Sequence, residues 1–146
     1  MSRFSQAFRT TNTSAGAAIE FIAGSADRAR LVELELTITS QVDTAVGLGF
    51  PGAKGITPTS PVAFQSENPG DGSTCGISSA LAWVTAPTTP TNGYYFRRAF
   101  IPAAQQFRVR WSWPEGSGLL LLPSTSLALF LLAAGAAIDG YAVFEE

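Results

Sequence analysis

The chain has 146 residues, a formal net charge of −2, 14% charged and 46% hydrophobic residues, one cysteine and no histidine. That length fits a single domain able to bury about two-thirds of its unfolded surface. The lack of histidine excludes Ser-His-Asp and Cys-His catalysis and any histidine metal site, and the near-neutral charge gives no drive toward nucleic acid or anionic membrane.

Residues 1–14 read as a short N-terminal arm rich in Ser, Thr and Gln, with Phe4 and Phe8 as anchors and Arg3 and Arg9 as candidate partner contacts. A simple edge strand over residues 4–9 is the competing reading, since termini stay loose unless docked. The opening carries no apolar h-region, so synthesis in a cytoplasm is expected, and Asn12-Thr13-Ser14 then matches the glycosylation pattern by chance. The domain proper is expected over residues 15–146. Residues 18–23 form a strand candidate. Residues 31–39 alternate cleanly, with Leu34, Leu36 and Ile38 on one face and Glu33, Glu35 and Thr37 on the other, which specifies a strand with one wet face.

Residues 46–50 suggest another strand. The glycine-rich segment around Lys54, the only lysine, lacks the Gly-Lys-Ser/Thr order of a phosphate loop. Residues 51–80 read as one long loop of Gly, Pro, Ser and Thr, a length that signals function or a partner. Within it, Gly72-Ser73-Thr74-Cys75-Gly76 is no nucleophile elbow, and Asp71 has no second carboxylate at calcium-loop spacing. Cys75 has no partner for an intrachain disulfide. Residues 81–86 and 94–101 read as strands around a loop carrying the turn pair Asn92-Gly93. Over residues 107–113, Phe107, Val109, Trp111 and Trp113 are expected inward, with Arg108 and Arg110 outward.

The last quarter holds two apolar runs split by Pro123-Ser124-Thr125-Ser126, then a strand ending at Glu145-Glu146. A spanning helix needs about 20 consecutive apolar residues. The first run, 119–122, is far shorter, and joining the two would place Pro123 to Ser126 near mid-bilayer. Buried strands over 119–122, 127–133 and 138–144 are the better reading. Convincing helical periodicity occurs nowhere, although residues 133–137 suit a turn. The whole pattern predicts an all-β, single-domain antiparallel sandwich of about eight to ten strands.

A strand apolar on both faces needs a second cover beyond its own sandwich. Adjacent copies of the chain would supply it, making Leu127, Leu129 and Leu131 candidate interface residues. Self-association also suits a chain so poor in charge. Arg97, Arg98, Arg108 and Arg110 are interleaved with Tyr94, Tyr95, Phe96, Trp111 and Trp113. With no positive excess to hold phosphates, these arginines suit protein contacts better than nucleic acid. Arg108 and Arg110 can pair with Glu33 or Glu35. Those two carboxylates lie about 7 Å apart along one strand, which does not frame a glycosidase cleft.

The closing pattern, Leu119 to Leu122, Pro123-Ser124-Thr125-Ser126, Leu127-Ala128-Leu129 and Tyr141-Ala142-Val143-Phe144-Glu145-Glu146, resembles small jelly-roll proteins encoded among tailed-bacteriophage structural genes. The opening arm and the strand rich in Leu and Glu are similar to theirs as well. That resemblance implies a jelly roll and a non-enzymatic decoration (cement) protein on the outer capsid surface of the virion. It further implies a homotrimer seated on the major capsid protein, with no cofactor, metal, nucleic acid or membrane. Arg3, Phe4, Phe8, Arg9, Arg97 and Arg98 are the candidate capsid contacts, and Leu127, Leu129, Leu131, Arg108 and Arg110 the candidate trimer interface. The alternative is a receptor- or glycan-binding jelly roll of a tail or head spike, gripping sugar through residues 51–80.

Overall fold

The Leu-Glu alternation that marks residues 31–39 does build a strand, and the molecule is organised around it. The computed structural model describes residues 1–104 and 107–146. In chain order its strands are β1 (Arg3–Arg9), β2 (Gly16–Ala23), β3 (Ala29–Ile38), β4 (Thr44–Gly49), β5 (Ile56–Pro58), β6 (Val62–Ala63) and β7 (Gln65–Ser66). There follow β8 (Ile77–Ala80), β9 (Trp83–Thr85), β10 (Arg97–Ile101), β11 (Arg108–Ser112), β12 (Leu119–Leu121), β13 (Ser126–Leu131) and β14 (Ile138–Glu145). Among the described residues, no helix is long and apolar enough to cross a membrane.

Two six-stranded antiparallel sheets pack face to face. The first runs β11-β3-β14-β1-β7, with β12 beside β11 along the same edge of β3; the second runs β10-β4-β13-β2-β8-β6. Pairing is nested: β1 lies against β14, β2 against β13, β3 against β11 and β4 against β10. Between the sheets sit Leu31, Leu34 and Leu36 of β3, Ala142 and Phe144 of β14, Ile19 and Phe21 of β2, Val46 and Leu48 of β4, and Leu127, Leu129 and Leu131 of β13. Phe21, Phe64 and Phe144 meet edge to face, with centroids 5.1–6.0 Å apart.

Two bulges adjust the pattern. Strict alternation would send Leu31 outward with Glu33, but the β14 register jumps from Glu33 to Leu31 and leaves Val32 unpaired there. The extra residue returns Leu31 to the core, where it is fully buried. Ala18 plays the same part in β2, opposite the shift between Leu129 and Phe130.

Several expectations change. The segment expected to extend as an arm, residues 1–14, is laid into the first sheet: β1 pairs with β14 over Arg3–Arg9, and Phe4 is buried in the core. Seven residues of ladder and a buried phenyl ring outweigh what a free terminus would gain in entropy. The long loop 51–80 is stitched down by β5, β6, β7 and β8 and by buried Phe64. Of the strand expected over 81–86 only Trp83–Thr85 forms, and residues 94–96 precede β10 rather than opening it. Phe107 is 54% exposed, because the ladder with β3 begins at Arg108 opposite Thr37.

The second cover for β13 comes from the same chain. Its outward Ala128 and Phe130 are fully buried with Ala17 beneath Trp83, Tyr95 and Leu132. Tyr95 lies edge-on to Phe130 at 6.0 Å. The glycines of β4 make the approach possible: a Cβ on Gly47 would stand 2.6 Å from the Tyr95 ring. This cover is anchored at Glu20, whose side chain is fully buried on the outer face of β2. It accepts hydrogen bonds from Ser126 Oγ (2.6 Å), Trp83 Nε1 (2.7 Å) and the Gly55 amide (3.0 Å).

Candidate interaction surfaces

The outer face of the first sheet carries a lattice of charged side chains. Antiparallel pairing of β3 with β11 and β14 sets Glu33 and Glu35 between the arginines and Tyr141. Arg110 Nη2 donates to Glu33 at 2.9 Å, and Arg108 Nε lies 3.3 Å from Glu35. The Tyr141 hydroxyl donates to Glu33 and stands 3.3 Å from Glu35. Partial burial pushes the Glu33 carboxyl up, but the hydrogen bonds from Arg110 and Tyr141, with the charges of Arg110 and Arg3, outweigh it and hold the group below its ordinary value. The same hydrogen bond to Glu33, then desolvation, then the negative charge of Glu33 and Glu35, push the Tyr141 phenol up to about 12. Tyr141 therefore stays protonated at neutral pH and serves as a donor between two carboxylates.

The predicted contact residues divide into three groups. Phe4 belongs to the core, and Phe8 is half-buried, edge-on to Phe21 at 6.1 Å, so neither is an exposed anchor. Leu127, Leu129 and Leu131 are likewise buried inside a single chain, where they face the opposite sheet. Arg3, Arg9, Arg97, Arg98, Arg108 and Arg110 are exposed. Arg9 forms a two-pronged pair with Asp139 directly opposite on β14, at 2.6 and 2.7 Å, and its hydrogen bond holds that carboxyl below its usual value. Arg3 lies 3.6 Å from Glu145 and 3.9 Å from Glu67. The arginine–glutamate pairing expected for Arg108 and Arg110 is thus satisfied within the chain.

Arg97 and Arg98 differ from these. Among the described residues neither forms an ion pair with a carboxylate. Their guanidinium groups instead lie over aromatic rings, Arg97 over Trp113 at 5.3 Å and Arg98 over Tyr95 at 5.8 Å. Exposed aromatic side chains lie next to them in sequence. Phe50 and Phe96 meet edge to face at 5.1 Å, and Phe100 on β10 is 63% exposed. Phe50 also lines a groove of about 410 Å³ with Pro51, Lys54, Leu120, Leu122 and Ser124. No family model, curated protein or solved structure matches this chain.

Two features escaped the sequence reading. Glu20, the one acid in Ala17-Ala18-Ile19-Glu20-Phe21-Ile22-Ala23, is a carboxylate in an otherwise apolar strand, a pattern that marks a buried anchor. Arg98 and Phe100 share one face of an edge strand, β10, but without the sheet order nothing in the sequence tells an edge from the interior. Cys75 is chemically quiet: burial first, then the nearby Glu146 charge, pushes its thiol up to about 12.

Proposed function

We propose that this chain is a jelly-roll decoration protein that binds the outer surface of a phage head as a homotrimer and staples neighbouring capsid subunits together. The jelly-roll reading is supported by the nested order, in which first pairs with last, second with second-last and so inward, as in a long hairpin rolled up on itself. The functional reading is supported by one observation above others: the exposed apolar side chains Leu122, Phe50 and Phe96, which adjoin one another, and Phe100, together with Arg97 and Arg98, which have no carboxylate partner among the described residues. Such a combination is typical of protein contacts, where aromatics and Arg are enriched.

The action is binding without chemistry. Each copy adds contact area across a seam between capsid subunits, and many copies raise the cost of separating those subunits under internal DNA pressure. Since β13 is sealed by its own chain, trimer and capsid contacts both fall to exposed surfaces, with Arg97 and Arg98 remaining on the proposed capsid side. Mixing the purified protein with undecorated heads is expected to give saturable binding and greater tolerance of heat. Heads that stay bare at saturating protein would refute the reading, and binding to a glycan array instead would favour the spike alternative.

A further inference from the structure

The two main sheets present four edges, ending on β7, on β11 with β12, on β6 and on β10; β7 covers only Phe4 and Ser5 of β1, and β6 only Ser78 and Ser79 of β8. β6 and β7 are only two residues long, and very short edge strands offer little to pair with. Along β11 the outward arginines are each tied to a glutamate of β3, so that edge carries no net charge to attract a partner. The fourth edge, β10, is neither that short nor neutralised. It is five residues long, and it bears an exposed phenylalanine and two arginines that form no ion pair among the described residues.

Its free backbone groups can be assigned from the ladder. The Leu132 amide donates to the Ala45 carbonyl, so Ala45 and Gly47 direct their backbone groups toward β13. Thr44, Val46 and Leu48 then turn theirs toward β10, where they face Ile101, Ala99 and Arg97. The backbone N–H and C=O groups of Arg98 and Phe100 are left pointing away from the sheet. At this edge, ladder positions with no partner among the described residues coincide with positive charge and exposed aromatic surface.

We infer that β10 is a docking edge that takes an extended acidic segment of a partner protein as a further antiparallel or parallel strand of the second sheet. The ladder supplies main-chain hydrogen bonds at Arg98 and Phe100, as in other strand-addition complexes. With alternating side chains, acids on the rim face reach Arg97 while apolar ones rest on Phe100, and in the reverse facing acids reach Arg98. Charge chooses this occupant over a second copy: β10 against β10 would bring four arginines together across one short ladder. The free ladder chooses it over single-stranded nucleic acid, which could stack on the aromatics but has no backbone amides to pair with. The inference goes beyond the capsid reading and rests on it only in taking this flank to face a partner.

The test uses the full chain and short capped peptides in which valine alternates with glutamate or with lysine. Saturable amide shifts are expected at Arg98 and Phe100 with the glutamate peptide, with exchange of those amides slowed about tenfold, and the lysine peptide is expected to bind about tenfold more weakly. Phe100→Pro removes an N–H that faces away from β4, which edge strands tolerate, and should abolish binding with the fold intact. The double variant Arg97→Glu with Arg98→Glu leaves that N–H in place and should reverse the peptide preference. Equal binding of both peptides, oligothymidylate displacing the peptide from the same residues, or no protection by any peptide would each overturn the inference; the last would mark Arg97 and Arg98 as guards against pairing. Head binding measured on the same variants keeps the two readings apart. Heads that bind Phe100→Pro as well as the parent refute the docking edge alone, whereas peptide binding beside bare heads refutes the capsid role alone.

Discussion

Glu20 carries an anchoring role that no neighbouring residue duplicates. A buried carboxylate is costly unless its oxygens are occupied, and here Ser126, Trp83 and Gly55 each donate to it from a different segment. Glu20→Ala would strand three donors in an apolar setting, and a loss of about 3 kcal/mol is expected from urea unfolding. Glu20→Gln should lose less, since an acceptor oxygen survives. The charge lattice on the first sheet makes a different prediction, one about pH. Glu33 is held below its ordinary value, so its stabilising contribution is complete above the unfolded-state value and disappears as pH falls through the lowered folded one. Arg110→Ala removes the strongest opposing hydrogen bond and leaves burial to push the group upward. An NMR titration of the Glu33 carboxyl should record that rise, with the acid limb of unfolding moving to higher pH.

At the level of elements, legibility followed length and one-sided burial. Strand β3 was readable because its glutamates and leucines face different media, and β11 because arginines alternate with Val109 and Trp111. The bulge at Val32 was not readable, since a one-residue slip leaves no mark except a leucine out of phase. Nor were β5, β6 and β7: two or three residues are too few for a period, and their Gly-Pro-Ser-Thr setting imitates a loop. Strand β13 was read correctly as apolar on both faces, yet its cover was assigned to a second copy. Nothing local in Trp83 or Tyr95 announces that they fold back over Phe130; the signal lies in Gly47 and Gly49, whose missing side chains leave room for it. A Cβ on Gly47 must displace the Tyr95 ring, whereas one on Gly72 meets nothing within 4 Å. Gly47→Ala is therefore expected to cost about 1–2 kcal/mol and to open residues 86–96 to protease. Gly72→Ala should do neither. Limited proteolysis with a urea midpoint measures both outcomes.

The whole molecule joins its first strand to its last, with Arg9 clasping Asp139 across the ladder and Ser2 exchanging backbone hydrogen bonds with Glu146. Nested pairing of this kind makes most contacts distant in sequence, which slows folding and ties stability to both ends of the chain. It also separates two roles that the apolar tail was first expected to combine. The inner face of β13 closes the sandwich, and its outer face is closed by Tyr95 and Trp83. Leu129→Ala distinguishes these arrangements. With Leu129 fully buried between the sheets, truncation should cost about 2–5 kcal/mol of stability and leave the oligomer mass unchanged under conditions where the variant stays folded. A subunit contact through the same side chain would do the reverse, dissociating the assembly on dilution while each copy kept its unfolding midpoint. Light scattering across a dilution series, paired with urea unfolding, reads both quantities on one sample. A trimer that survives Leu129→Ala would direct the search for its interface to the exposed flanks, and one that dissociates would return β13 to the interface.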